Sequence, residues 1–169
     1  MTETTEPNWA RLASQAQGLL SVSTNRVANA ANLSAVIYQE VPDVSWVGFY
    51  FLEGETLVLG PFQGKPACVN IGMGKGVCGT AAATGKICRV PDVDAFDGHI
   101  ACDSESRSEL VIPLTKSGVL LGVLDVESTR LHRFSKTDET GIAGLAKVYL
   151  DSVVRKVFSG DQVNQPAIL

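Results

Sequence analysis

An α+β domain, with a central antiparallel sheet and helices packed mainly on one face, is what this sequence predicts. Three observations carry that reading. Apolar residues follow a helical period from Trp9 to about residue 41, and again after residue 135. Between these stretches the period falls to two, in runs rich in β-branched and aromatic residues. Those runs come in pairs joined by short turns, which favours antiparallel pairing and helices segregated to one side.

Residues 1–7 read as a tail. Trp9, Leu12, Ala13, Ala16, Leu19 and Leu20 recur close to i, i+3, i+4, i+7 and predict the first helix. A turn near residues 21–23 separates it from a second helix over 24–38. There Val27, Ala30, Ala31, Val36 and Ile37 lie roughly on one side, and Thr24 is placed to cap the start. Residues 44–52 predict a strand, Glu53-Gly54 a turn, and 56–60 a second strand. Gly60, Pro61, Gly64 and Pro66 interrupt the pattern before a short strand at 67–71. Gly72, Gly74 and Gly76 then lead into a short helix at 77–84, followed by a short strand at 87–90. Residues 91–107 show no sustained period. A stretch of that length inside a compact domain points to function or to disorder. His99, Ile100, Ala101 and Cys102 at its centre favour function. Lys116-Ser117-Gly118 joins strands at 109–115 and 119–127 into a hairpin. Ser135 and Asp138 have the spacing of a capping box and open a helix to about residue 157. Its buried face carries Ile142, Leu145, Tyr149 and Val153. One domain over 8–157 is the result, with a second tail at 158–169.

Composition narrows the class. The chain has 169 residues, 45% of them hydrophobic and 19% charged, with a net charge of -4. That length suits a single core that needs no covalent staples. The acidic balance argues against nucleic acid or an anionic membrane surface as a partner. No apolar run approaches the roughly 20 residues of a membrane helix. The start, MTETTEPNWA, lacks the basic and apolar regions of a secretory signal. A cytoplasmic protein is expected, its four cysteines being thiols rather than structural disulfides.

Cys68, Cys78, Cys88 and Cys102 show no CxxC-type spacing, so a structural metal site is not expected. Free cysteines are often small buried hydrophobes, and Cys88, between Ile87 and Arg89 in a short strand, suits that role. Cys102 suits it less, because it sits beside Asp103 among polar residues; an accessible thiolate there is a nucleophile and a redox centre. Asp125 and Glu127 lie two apart on a strand that is otherwise apolar, and Glu109 begins its hairpin partner. A solvated strand end and an acidic pocket both account for that pattern. Inside a pocket, desolvation and mutual repulsion would hold one acid neutral. Trp46 and Tyr50, four apart, share a strand face and belong either to the core or to the wall of a small-ligand site.

The runs GVCGTAA (76–82), DGHIACDSESRSELVIPL (97–114) and GVLDVES (122–128), with WVGFYF and LGPFQGKPACVNI upstream, resemble the free methionine-(R)-sulfoxide reductases. These are single GAF-domain enzymes, and the likeness extends over about residues 8–154. It implies reduction of the free amino acid, with Cys102 as the nucleophile that becomes a sulfenic acid. Cys68 would resolve it as a disulfide, and Cys78 would be a secondary partner thiol. The same likeness makes Glu109, Asp125 and Glu127 the acids around the substrate, one lending a proton and another pairing with the ammonium. Glu127 stands where the family commonly has Asp. Trp46 and Tyr50 would enclose the methyl-sulfur end, and backbone amides at Ile100, Ala101 and Cys102 would face the substrate's oxygens. No bound cofactor is implied; thioredoxin, recharged by NADPH through thioredoxin reductase, would be the reductant. Related proteins are often homodimers. The competing expectation is a GAF-type small-molecule or redox sensor that binds without turnover.

Overall fold

The computed structural model describes residues 6–98 and 104–153. Helix α1 (Trp9–Leu20) begins where the Asn8 side chain accepts from the Arg11 amide. In α2 (Arg26–Glu40) the cap is Asn25 rather than the expected Thr24. Its carboxamide oxygen accepts from both the Val27 and Ala28 amides, satisfying two of the free donors at the helix start. Strands β1 (Trp46–Glu53), β2 (Thr56–Gln63) and β3 (Asn70–Gly72) follow, then helix α3 (Gly76–Thr84) and strand β4 (Cys88–Val90). The hairpin of β5 (Ser108–Lys116) and β6 (Val119–Ser128) leads to helix α4 (Lys136–Val153).

All the strands form one sheet, in the order β3-β2-β1-β6-β5-β4, and each neighbouring pair is antiparallel. β2 continues to Gln63 instead of ending at residue 60, although Pro61 lies within it. A register shift between Gly48 and Tyr50 takes Gly60 and Pro61 out of the β1 ladder, and β3 pairs only with Thr56, Leu57 and Val58. The missing proline N–H therefore forfeits no ladder bond. β3 is shorter and later than expected. Among its described residues the 91–107 stretch has one 3-10 turn, Val93–Ala95, and the Val93 amide donates to the Arg107 carbonyl at 3.0 Å.

Alternation along the strands separates two cores. Val47, Phe49 and Phe51 of β1, Leu110, Ile112 and Leu114 of β5, and Leu124 and Val126 of β6 pack against α1, α2 and α4. The intervening residues Trp46, Tyr50, Val111 and Val123 face the other way, where Val77, Cys78, Ala81 and Ala82 of α3 meet them. Most of the helical mass thus lies on one face, as the sequence predicts. The expected capping box is present at α4. The Ser135 amide donates to Asp138 Oδ2 at 2.8 Å, and the Asp138 amide donates to Ser135 Oγ at 3.1 Å. Among the described residues no helix is long and apolar enough to cross a membrane.

Candidate active site

Cross-strand register brings the predicted acids and aromatics together. Trp46 lies opposite Glu127 and Gly48 opposite Asp125 in the β1–β6 pair. Glu109 lies opposite Glu127 and Val111 opposite Asp125 in the β5–β6 pair. Residues directly opposite in an antiparallel pair share a face, so Trp46, Tyr50, Glu109, Asp125 and Glu127 all project toward α3. The acids therefore do not form a solvated strand end. Glu109 is 6% exposed and Asp125 only 3%, while Glu127 is half-buried.

Helix α3 lowers Cys78 onto this acidic floor. The helix packs against the turn after β3: a Cβ at Gly79 would come within 2.3 Å of the Gly72 carbonyl oxygen, so only glycine permits that approach. Cys78 Sγ consequently lies 3.8 Å from Glu109 Oε1, and it donates to that oxygen across the longer reach of sulfur. One donor atom each from Cys78, Glu109 and Asp125 falls within 4.8 Å of the others. Among the described residues these are the side chains spaced to hold a metal ion. The same spacing makes them a hydrogen-bonded acid cluster.

Burial dominates the electrostatics. It pushes the Glu109 carboxyl up to about 8, with the Glu127 charge adding to the effect and hydrogen bonds from Asp125 and Cys78 opposing it. Asp125 is raised well above the usual carboxylate range by burial first, then by the charges of Glu109 and Glu127. The Cys78 thiol is pushed well up by burial and by Asp125 and Glu109. No cation among the described residues pairs with either buried acid, and Asp125 Oδ1 has no hydrogen-bond partner there. Two carboxyls this close in a dry site cannot both ionise at moderate cost, so protons are retained near neutrality.

Aromatic rings form the adjoining wall. Trp46 stacks on Tyr50 with centroids 6.0 Å apart and on Phe62 at 5.5 Å. Trp46 Nε1 donates to the Lys65 carbonyl at 3.0 Å, and the Tyr50 hydroxyl donates to the Cys68 carbonyl at 3.0 Å. The rings thus anchor the 65–68 segment as well as lining the site. Sequence reasoning missed Phe62, because Pro61 ended the predicted strand at residue 60, three residues before its end at Gln63. It missed Gly48 too: a Cβ there would sit 2.4 Å from the Trp46 ring, so its absence lets the indole lie across the sheet.

Cys68 is half-buried and disulfide-bonded, whereas Cys78 and Cys88 carry free thiols. Cys88 is half-buried in β4, opposite Val111, and its Sγ lies 3.8 Å from the Lys86 carbonyl oxygen. Cys102, with His99, Ile100 and Ala101, lies outside the described residues. Elsewhere, a groove of about 410 Å³ between α1 and α4 has a single acid, Asp151, already paired with Lys116 and Lys147. It offers no comparable chemistry.

An antiparallel sheet with three helices on one face and a short helix on the other is the architecture of a GAF domain, and the GAF domain family model matches residues 15–148. The chain is 49% identical over 145 residues to the free methionine-R-sulfoxide reductase of Escherichia coli, covering 83% of this chain and 88% of that one. It superposes on the reduced form of fRMsr of Staphylococcus aureus with a TM-score of 0.87 and 40% identity, covering 91% and 100% of the two chains. The free methionine-R-sulfoxide reductase of Neisseria meningitidis in complex with its substrate gives a TM-score of 0.83 at 42% identity, with 86% and 87% covered. The chain belongs to the GAF domain family and, within it, to the free methionine-R-sulfoxide reductases.

Proposed function

We propose that this enzyme reduces free methionine (R)-sulfoxide with Cys102 as nucleophile, Cys68 as resolving thiol and Glu109 as proton donor. The observation that carries the reading is the buried acid pair, which holds a neutral carboxyl near pH 7 beside an aromatic wall. A sulfoxide oxygen is a poor leaving group until it is protonated, and a carboxyl of pKa near the working pH is suited to protonating it. The Cys102 thiolate attacks the substrate sulfur while Glu109 gives its proton to the oxygen. The oxygen then passes to the Cys102 sulfur, the substrate sulfur keeps the electron pair, and methionine leaves. Cys68 attacks the resulting sulfenic sulfur, hydroxide departs and takes up a proton as water, and a disulfide closes. The two thiols supply the two electrons. Thioredoxin returns them, drawing on NADPH through its reductase.

Several features support the assignments. Cys68 is disulfide-bonded while Cys78 and Cys88 are free. The unpartnered Asp125 Oδ1 and the neighbouring Glu127 offer a substrate ammonium the acceptors it needs; the cation would draw Asp125 into its ionised form. Trp46 and Tyr50 are suited to hold the methyl-sulfur end. Incubation of the protein with racemic methionine sulfoxide, thioredoxin, thioredoxin reductase and NADPH tests the proposal. The (R)-epimer of the free amino acid disappears, whereas N-acetylated peptide sulfoxide is spared. Cys102→Ser removes all turnover, and Cys68→Ser yields roughly one methionine per chain with weak recycling. Equal consumption of the peptide substrate, or full multiple turnover by Cys68→Ser, would overturn it.

A further inference from the structure

We infer that Cys78 is a positioning residue, whose Sγ–H occupies Glu109 Oε1 and leaves Oε2 as the oxygen that carries the transferable proton. The inference rests on the proposed role of Glu109 and deepens it. A thiol that serves as a spare redox partner needs two properties, access and thiolate character. Cys78 has neither, being 4% exposed in the apolar cluster beneath α3 with Asp125 and Glu109 beside it. The groups around it are Glu109 from β5, Asp125 and Glu127 from β6, and Tyr50 from β1. Cys88 of β4 acts on the same carboxyl, Glu109. None of them is a cation. The start of a helix ordinarily favours a thiolate, and Cys78 lies in the first turn of α3, yet burial and the acids prevail.

What the position does offer is a fixed donor. The Gly74 amide donates to the Gly79 carbonyl at 2.8 Å, and the Gly79 amide donates to the Lys75 carbonyl at 2.9 Å, so the residue that follows Cys78 is held through both its backbone groups to the turn that begins α3. The thiol proton reaches Glu109 Oε1 at 3.8 Å, with Asp125 competing for the same donor. A protonated carboxyl with one oxygen already accepting holds its proton on the other. Among the described residues Asp125 Oδ1 is buried and has no hydrogen-bond partner, so donors to these carboxyls are scarce there. Loss of one donor therefore changes which oxygen carries the proton and how firmly it is held.

Serine keeps a donor at this place and alanine removes it, which separates the alternatives. For Cys78→Ala, kcat/KM for free methionine (R)-sulfoxide falls roughly tenfold, and its alkaline limb moves to higher pH because Glu109 has lost a donor to its ionised form. Cys78→Ser retains most of the rate and a limb close to that of the parent. Thermal unfolding of both variants confirms that they fold. Equal losses in the two variants with the limb unmoved would show a spare redox thiol or a packing role, and would overturn the inference. A parent protein with no activity on the sulfoxide would overturn the proposed function itself, which the parent control reports separately.

Discussion

Glu109 places the proposed proton transfer on a single buried carboxyl. Its pKa near 8 arises chiefly from burial, with Glu127 adding repulsion. In the unfolded chain the same group titrates near its ordinary value of about 4.3. Below that pH both states are protonated, and the buried carboxyl imposes no ionisation cost. As pH rises toward 8 the unfolded state ionises first, so stability is lost progressively across that window. The side chain proposed as the proton donor therefore weakens the fold in the range where it would work. Glu109→Gln removes both effects. We predict that kcat/KM falls by roughly two to four orders of magnitude, as expected for loss of a general acid. Thermal melts run from pH 4 to pH 9 should place the variant increasingly above the parent as pH rises, and level with it near pH 4. An activity limb that persists near pH 8 in Glu109→Gln would assign that titration to another group.

At the level of elements, local chemistry was readable and distant pairing was not. The capping box of Ser135 and Asp138, the hairpin around Lys116-Ser117-Gly118 and the period of α1 depend on neighbours a few residues apart, and the structure has all three. β3 has only three residues, too few for a period to register, and its place is set by pairing with Thr56, Leu57 and Val58. The course of β2 through Pro61 likewise depends on a bulge that only the β1 partner reveals. Gly48 shows how a strand position can shape the site without touching the acids' chemistry. Its missing Cβ leaves room for the Trp46 ring and for Phe62, whose Cβ lies 2.5 Å from where the new atom would be. Gly48→Ala should push the indole off the sheet. The expected outcome is a raised KM for the sulfoxide with a smaller change in kcat, and weakened Trp46–Phe62 stacking seen as altered near-ultraviolet circular dichroism. An unchanged KM would place Trp46 outside the substrate's reach.

Across the whole molecule, the sheet divides labour between its faces. The face toward α1, α2 and α4 carries buried aliphatic and aromatic side chains, with Lys116 at the end of β5 pairing with Asp151 of α4. The face toward α3 carries the acids, the thiol and the ring wall. Sequence alternation made Asp125 and Glu127 visible as an anomaly on one face. It left open whether that face was solvent or pocket, because the covering helix is brought there by the chain's long-range path rather than by local sequence. β6 tests the division at adjacent positions. Leu124 is fully buried among the three-helix core, and Leu124→Ala should cost about 2–5 kcal/mol of stability by leaving a cavity. Its kcat/KM at a temperature well below unfolding, and the pH dependence of that rate, should match the parent. Asp125→Asn, one residue along and facing α3, should do the reverse. A raised carboxyl pKa costs stability as pH climbs through it, so an amide that does not ionise melts higher at pH 8–9, by roughly 2–4 °C for each kcal/mol recovered. At the same time KM for the sulfoxide rises, because the ammonium loses a charged partner. Chemical denaturation and steady-state rates measured on both variants across pH would show the separation. If Leu124→Ala shifted the pH profile as strongly as Asp125→Asn, the two faces would be coupled, and stability and chemistry would share one core.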